Sequence, residues 1–233
     1  MSVPLSDRPV RLGALSGVLA GLLIVLPGLV EAFTGETAAT SFFLALSPAF
    51  SLPLLAALHR RQASVAGRFG ETAYVANLVG LGLFGGAAYA ANLVLFYFDD
   101  DIIEETLTGP TVPALIGSAA VFAVGSALFG TAMIRARVLP RVPSWSYATA
   151  LPLFALLAAL PDSVLTSALH VVVGATLTWL ATALRRPTGT PSRRPESPHA
   201  TPVNSTQHSN TDQQIPFRNR WSSRTSARIP AGS

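Results

Sequence analysis

Every arginine in this chain falls in alternate gaps between apolar runs, and that alternation limits its possible folds more than any other feature. A helix crossing the hydrocarbon of a bilayer needs about 20 mostly apolar residues, because each backbone donor and acceptor must be paired within the segment. Five runs meet or approach that length: 12–30, 42–58, 73–98, 112–134 and 164–184. A sixth, 145–160, is shorter and contains Pro152. Its YATALPLFALLAAL core carries no charge, and neighbouring helices can satisfy the carbonyl that a proline leaves unpaired.

Cytoplasmic loops carry the excess of positive charge. With the N-terminus inside, Arg8 and Arg11 precede the first run, and the loop after it holds Glu31 and Glu36 but no arginine. The next gap has Arg60, Arg61 and Arg68; the third is the acidic stretch FYFDDDIIEET, 96–106. The fourth has Arg135, Arg137 and Arg141, the fifth is a tight turn with Asp162, and the tail opens with Arg185 and Arg186. All 16 basic residues therefore sort to one side and eight of the 12 acids to the other. Removing the fifth span would put the tail on the wrong side. The expected fold is an all-α membrane protein, a bundle of six transmembrane helices with both termini cytoplasmic: residues 1–11 as a short N-terminus, 12–184 as the membrane domain and 185–233 as a tail.

Composition agrees. Half the residues are hydrophobic and 12% are charged, against roughly a quarter in a soluble domain. Every basic residue is arginine, which reads as coding bias and, with the short loops, as a bacterial-type cell membrane. The net charge of +4 is a topology charge, with no nucleic-acid partner implied. The lack of cysteine excludes disulfides, thiolate metal sites and cysteine nucleophiles. The first run outlasts the apolar core of a signal peptide and has Pro27-Gly28 inside it, so it is read as a retained span. From Arg185 on, the chain is rich in Pro, Ser and Thr with little to bury, so disorder is expected. Arg185, Arg186, Arg193 and Arg194 lie where anionic lipid headgroups would attract them.

Gly13, Gly17 and Gly21 share one face of the first helix, as do Gly82, Gly86 and Ala90 in the third, and small faces let helix backbones approach closely. They predict either packing within the bundle or a homo-oligomer seam. Gly174, Thr178 and Thr182 make a similar ladder in the sixth. Pro48 and Pro53 predict a kinked second helix.

Ionisable groups within spans are costly and so are functional candidates. His170 sits about seven residues into the sixth span; Glu31, Tyr89 and Asn92 lie toward the same outer side, which predicts an outward-facing polar pocket. The acidic stretch lacks the alternating ligands and central glycine of an EF-hand loop, so it reads as an outer loop. No metal or cofactor is expected, since neither a phosphate loop nor paired metal-spaced histidines occur.

Six spans, an inner N-terminus, Ser118 in the fourth span and His170 in the sixth resemble the rhomboid intramembrane proteases in outline. That resemblance implies Ser118 as nucleophile and His170 as its base; the family's Gly-x-Ser-Gly motif is absent. The leading expectation is a non-enzymatic protein, either a small permease-like carrier or an accessory subunit. The other readings are the hydrolase and a scaffold recruiting partners through its basic tail.

Overall fold

The computed structural model describes residues 8–158 and 163–185. Among them the chain is helical and has no strand. The elements are α1 (Arg8–Thr34), α2 (Ala38–Leu93), a 3-10 turn (Leu95–Tyr97), α3 (Asp100–Thr106), α4 (Thr111–Ala136), α5 (Arg141–Leu157) and α6 (Val164–Leu184). Two of these helices start on reciprocal caps. Thr37 accepts from the Thr40 amide and Ser163 from the Thr166 amide, while each N3 threonine accepts from the cap residue's own amide. Helix starts otherwise leave these donors unpaired. Four helices, α1, α2, α4 and α6, are long and apolar enough to cross a membrane.

The second and third predicted spans are one element, α2, folded back on itself. Its backbone leaves helical values only at Gly67, with φ 56° and ψ −163°. The arms on either side, 38–66 and 68–93, run antiparallel: a Cβ at Gly85 would lie 2.9 Å from the Pro48 ring, and His59 stacks on Tyr74 with centroids 4.1 Å apart. The expected loop at 59–72 is therefore helix with a break at one glycine. At Pro48 and Pro53, where a kink is expected, the backbone keeps helical dihedrals and the helix continues through both. Pro48 has no N–H for the Leu44 carbonyl, and the Ser47 hydroxyl donates to that carbonyl instead, at 2.9 Å. Beside Pro53, the Ser16 hydroxyl of α1 donates to the Phe50 carbonyl at 2.7 Å.

Packing runs in a closed ring: α1 on the first arm of α2, the second arm on α4, α4 on α5, α5 on α6 and α6 back on α1. Small residues make the contacts close. A Cβ at Gly13 would meet Pro53 and Ala57, one at Gly21 would meet Gly174 and Thr178, and one at Gly80 would meet the Phe122 backbone at 2.6 Å. The glycine face of α1 is thus filled from within the chain by α2 and α6. Gly82 and Gly86 have no atom within 4 Å of a Cβ position and face outward. The second arm of α2 uses Gly80 and Gly85 inward instead.

Neighbouring helices are antiparallel throughout the ring, which separates the charges. The nine described arginines lie at one end: the start of α1, the hairpin tip at Gly67, the α4–α5 junction and the end of α6. There Arg135 lies over the Phe69 ring, 5.0 Å from its centroid. Glu31, Glu36 and the acids of 99–105 lie at the other end, where the acidic stretch forms α3 with no buried residue. Large apolar side chains such as Leu12, Leu26, Val124, Leu156 and Trp179 face outward, while the inner faces mix glycine, alanine and serine with buried Leu, Phe and Met such as Leu54, Phe129 and Met133. That distribution is the one lipid favours, because hydrocarbon solvates Leu as well as a core does and helices then associate through close packing.

Candidate functional site

At the centre of the ring is a cavity of about 30 Å³. Each helical arm contributes to its wall: Ile24 from α1, Leu54 and Phe84 from the two arms of α2, Phe122 from α4, Leu151 from α5 and Val173 from α6. Toward the acidic end, Phe84 stacks on Phe122 (4.9 Å) and meets Phe154 edge-on (5.9 Å). Among the described residues the polar groups on the wall are Ser47, Ser51 and Tyr147, with no Asp, Glu, His or Arg. Both serine hydroxyls donate to carbonyls of their own helix.

Tyr147 is the polar anchor. It is 3% exposed, and its hydroxyl accepts a 2.7 Å hydrogen bond from Nδ2 of Asn77, which is fully buried on the facing arm of α2. Close contact sets this pair in register: a Cβ at Gly125 would lie 2.7 Å from the Asn77 Cα, and one at Gly130 would lie 2.5 Å from the Ala148 Cα. Asn77 Oδ1 has no partner among the described residues. Further toward the arginine end, fully buried Gln62 has neither amide atom bonded, and His59 Nδ1 is likewise unpartnered. His59 lies one position past the predicted second span. Burial pulls its pKa below the ordinary value, partly opposed by the Glu71 carboxylate.

The residues singled out from sequence do not converge on one pocket. His170 contacts the Thr166 carbonyl through Nδ1 at 2.8 Å, and its ring meets Phe154 edge-on at 5.0 Å. Gly28 of α1 backs directly onto it, since a Cβ there would lie 2.4 Å from the His170 Cβ. Glu31, 8% exposed, follows one turn later on the same face, so this pair occupies facing helices. Tyr89 is 51% exposed on the outside of the bundle, and Asn92 donates to the Ala88 carbonyl of its own helix. Ser118 donates to the Leu115 carbonyl at 2.7 Å, α5 lies between α4 and α6, and Phe154 covers the His170 ring. No hydrogen bond joins Ser118 to His170. Arg185 is exposed at the end of α6; Arg186, Arg193 and Arg194 lie outside the described residues, as does the rest of the tail.

Asn77, Tyr147 and Gln62 escaped the sequence reading for a physical reason. The search gathered polar groups toward the outer side around His170, whereas Asn77 and Tyr147 lie near the inner ends of their runs, and Gln62 lay in a stretch read as loop. The available signal was an asparagine near the inner end of one apolar run and a tyrosine near the inner end of another. No family model, no curated protein and no solved structure matches the chain.

Proposed function

We propose that the chain is an integral membrane protein of six spans with both termini in the cytoplasm of a bacterial-type cell, acting without covalent chemistry as a small permease-like carrier. The observation that carries this reading is the central cavity to which every arm of the ring contributes a wall. A site between helices, shared by all of them, is where a rocking bundle exchanges solute between its two sides. The arginine-rich and acid-rich ends of the bundle support the orientation by the positive-inside rule. The accessory-subunit reading rests on the same fold without solute movement.

Flux separates the two. Purified full-length protein is reconstituted in vesicles, and stopped-flow light scattering follows osmotic swelling in neutral, cationic and anionic solutes of a few heavy atoms. A carrier speeds re-entry of at least one solute several-fold over protein-free vesicles. Equal rates for every solute would leave the accessory subunit as the function.

A further inference from the structure

The geometry points to a docking site for the headgroup of an anionic phospholipid at the arginine end of the bundle, where Arg68 and Arg135 come together across the seam between α2 and α4. The inference goes beyond the carrier reading and needs only that the bundle sits in a bilayer.

Two helix ends assemble the site. Arg68 and Phe69 open the second arm of α2, just past the break at Gly67, and Arg135 lies in the last turn of α4. These helices pack antiparallel, and the Arg135 guanidinium rests over the Phe69 ring, its Cζ 5.0 Å from the centroid. That cation–π contact holds the charge beside Arg68 on the neighbouring helix. Arg137 closes α4 in the left-handed conformation, with φ 55°, and Arg141 starts α5 four residues later. All four guanidinium groups belong to exposed residues.

No described residue neutralises them. No ion pair joins any of the four to a carboxylate among the described residues. The one described acid at this end, Glu71, acts on His59 across the hairpin. Sorting charge to one side of a membrane needs arginines somewhere near that side; it does not need one laid across a neighbouring helix beside another. Guanidinium groups carry planar donor forks that match the oxygens of a phosphate. Basic pockets between helices at the membrane surface take anionic headgroups for that reason.

Apolar surface beside the arginines favours a lipid over a soluble phosphate. Phe69 and Val142 are exposed, and exposed Trp145 follows Arg141 by four residues and so shares its face of α5. An acyl chain covers such side chains, whereas a free anion makes no use of them.

The test uses full-length protein in a neutral detergent. Thermal unfolding is recorded against added dioleoyl phosphatidylglycerol, dioleoyl phosphatidylcholine or inorganic phosphate for wild type, Arg68→Gln, Arg135→Gln, Phe69→Leu and Arg11→Gln. The expected result is a saturable rise in Tm with phosphatidylglycerol alone. Its apparent affinity should fall about fivefold in Arg68→Gln and in Arg135→Gln, the loss that one headgroup-facing arginine corresponds to. Phe69→Leu, which frees Arg135, should weaken it about twofold to fivefold, and Arg11→Gln, at the start of α1, should leave it unchanged. Every variant keeps the tail, so the tail arginines cannot supply the differences. An equal rise with phosphatidylcholine, a comparable rise with inorganic phosphate, or an equal loss in Arg11→Gln overturns the assignment. Undiminished affinity in folded Arg68→Gln or Arg135→Gln does so too, and if one of these fails to fold the other still decides.

Discussion

At the scale of single residues, glycine identity is decided by what lies opposite. Gly80 and Gly82 are two positions apart on the second arm of α2. A Cβ at Gly80 would lie 2.6–2.9 Å from Phe122 and Val121 backbone atoms, which cannot give way without moving α4, whereas one at Gly82 would meet nothing. Gly80→Ala is therefore expected to lower stability by about 1–3 kcal/mol through overpacking. Gly82→Ala should be neutral or gain up to about 1 kcal/mol from helix propensity. Thermal unfolding of the two variants in one detergent checks the contrast, and equal losses would mean the outward face of Gly82 is covered. The sequence could not separate these two positions. In GLGLFGG glycine occurs on both sides of the helix, and spacing alone favoured Gly82 and Gly86, the pair that faces outward. On α1 spacing sufficed, because large leucines occupy every other face and leave the glycines one direction to point.

At the scale of elements, the hairpin depends on one backbone conformation. The dihedrals at Gly67 belong to a region that is strained for any residue with a Cβ. Gly67→Ala is expected to cost about 1–3 kcal/mol although no atom lies near the new methyl group. If it straightened the turn, the 56 residues of α2 would extend about 84 Å, far beyond a hydrocarbon core of about 30 Å. A melting curve for Gly67→Ala superposing on wild type would show that the break tolerates a side chain. The prolines carry the opposite lesson. Their positions were plain in the sequence, but the helix survives them because Ser47 takes over the Leu44 carbonyl. Ser47→Ala should therefore destabilise by about 1–3 kcal/mol, the cost of a buried carbonyl left unmet, as read by the same melt. Apolar run length located five of the six arms, yet it could not show that residues 59–66 and 68–72 stay helical. Polarity signals the membrane boundary, and a helix can continue past that boundary into water.

At the scale of the whole molecule, charge segregation and helix length bear on the same question from different sides. The arginine pattern needs an even number of crossings, so α5 must cross if α6 is to end among the other arginines. At 17 residues α5 is about 26 Å long, somewhat short of the hydrocarbon thickness. Its ends compensate: Arg141 opens the helix at the arginine end, where Trp145 stands 58% exposed, and such residues anchor a short helix at the interface. The antiparallel contacts of α5 with both α4 and α6 are what a full crossing requires, whereas a re-entrant segment would return to the side it left. The chain has no cysteine, so introduced thiols report without background. Single cysteines at the exposed positions Ser64, Thr106 and Val164 mark the hairpin tip, the acidic end and the start of α6. On intact cells a membrane-impermeant maleimide should label Thr106→Cys and Val164→Cys but spare Ser64→Cys, and inverted vesicles should reverse the pattern. Labelling of Val164→Cys together with Ser64→Cys in inverted vesicles would mean that α5 turns back within the bilayer. The cavity wall that α5 supplies through Tyr147 and Leu151 would then belong to a re-entrant segment, and a five-span protein with its tail outside would replace the six-span bundle.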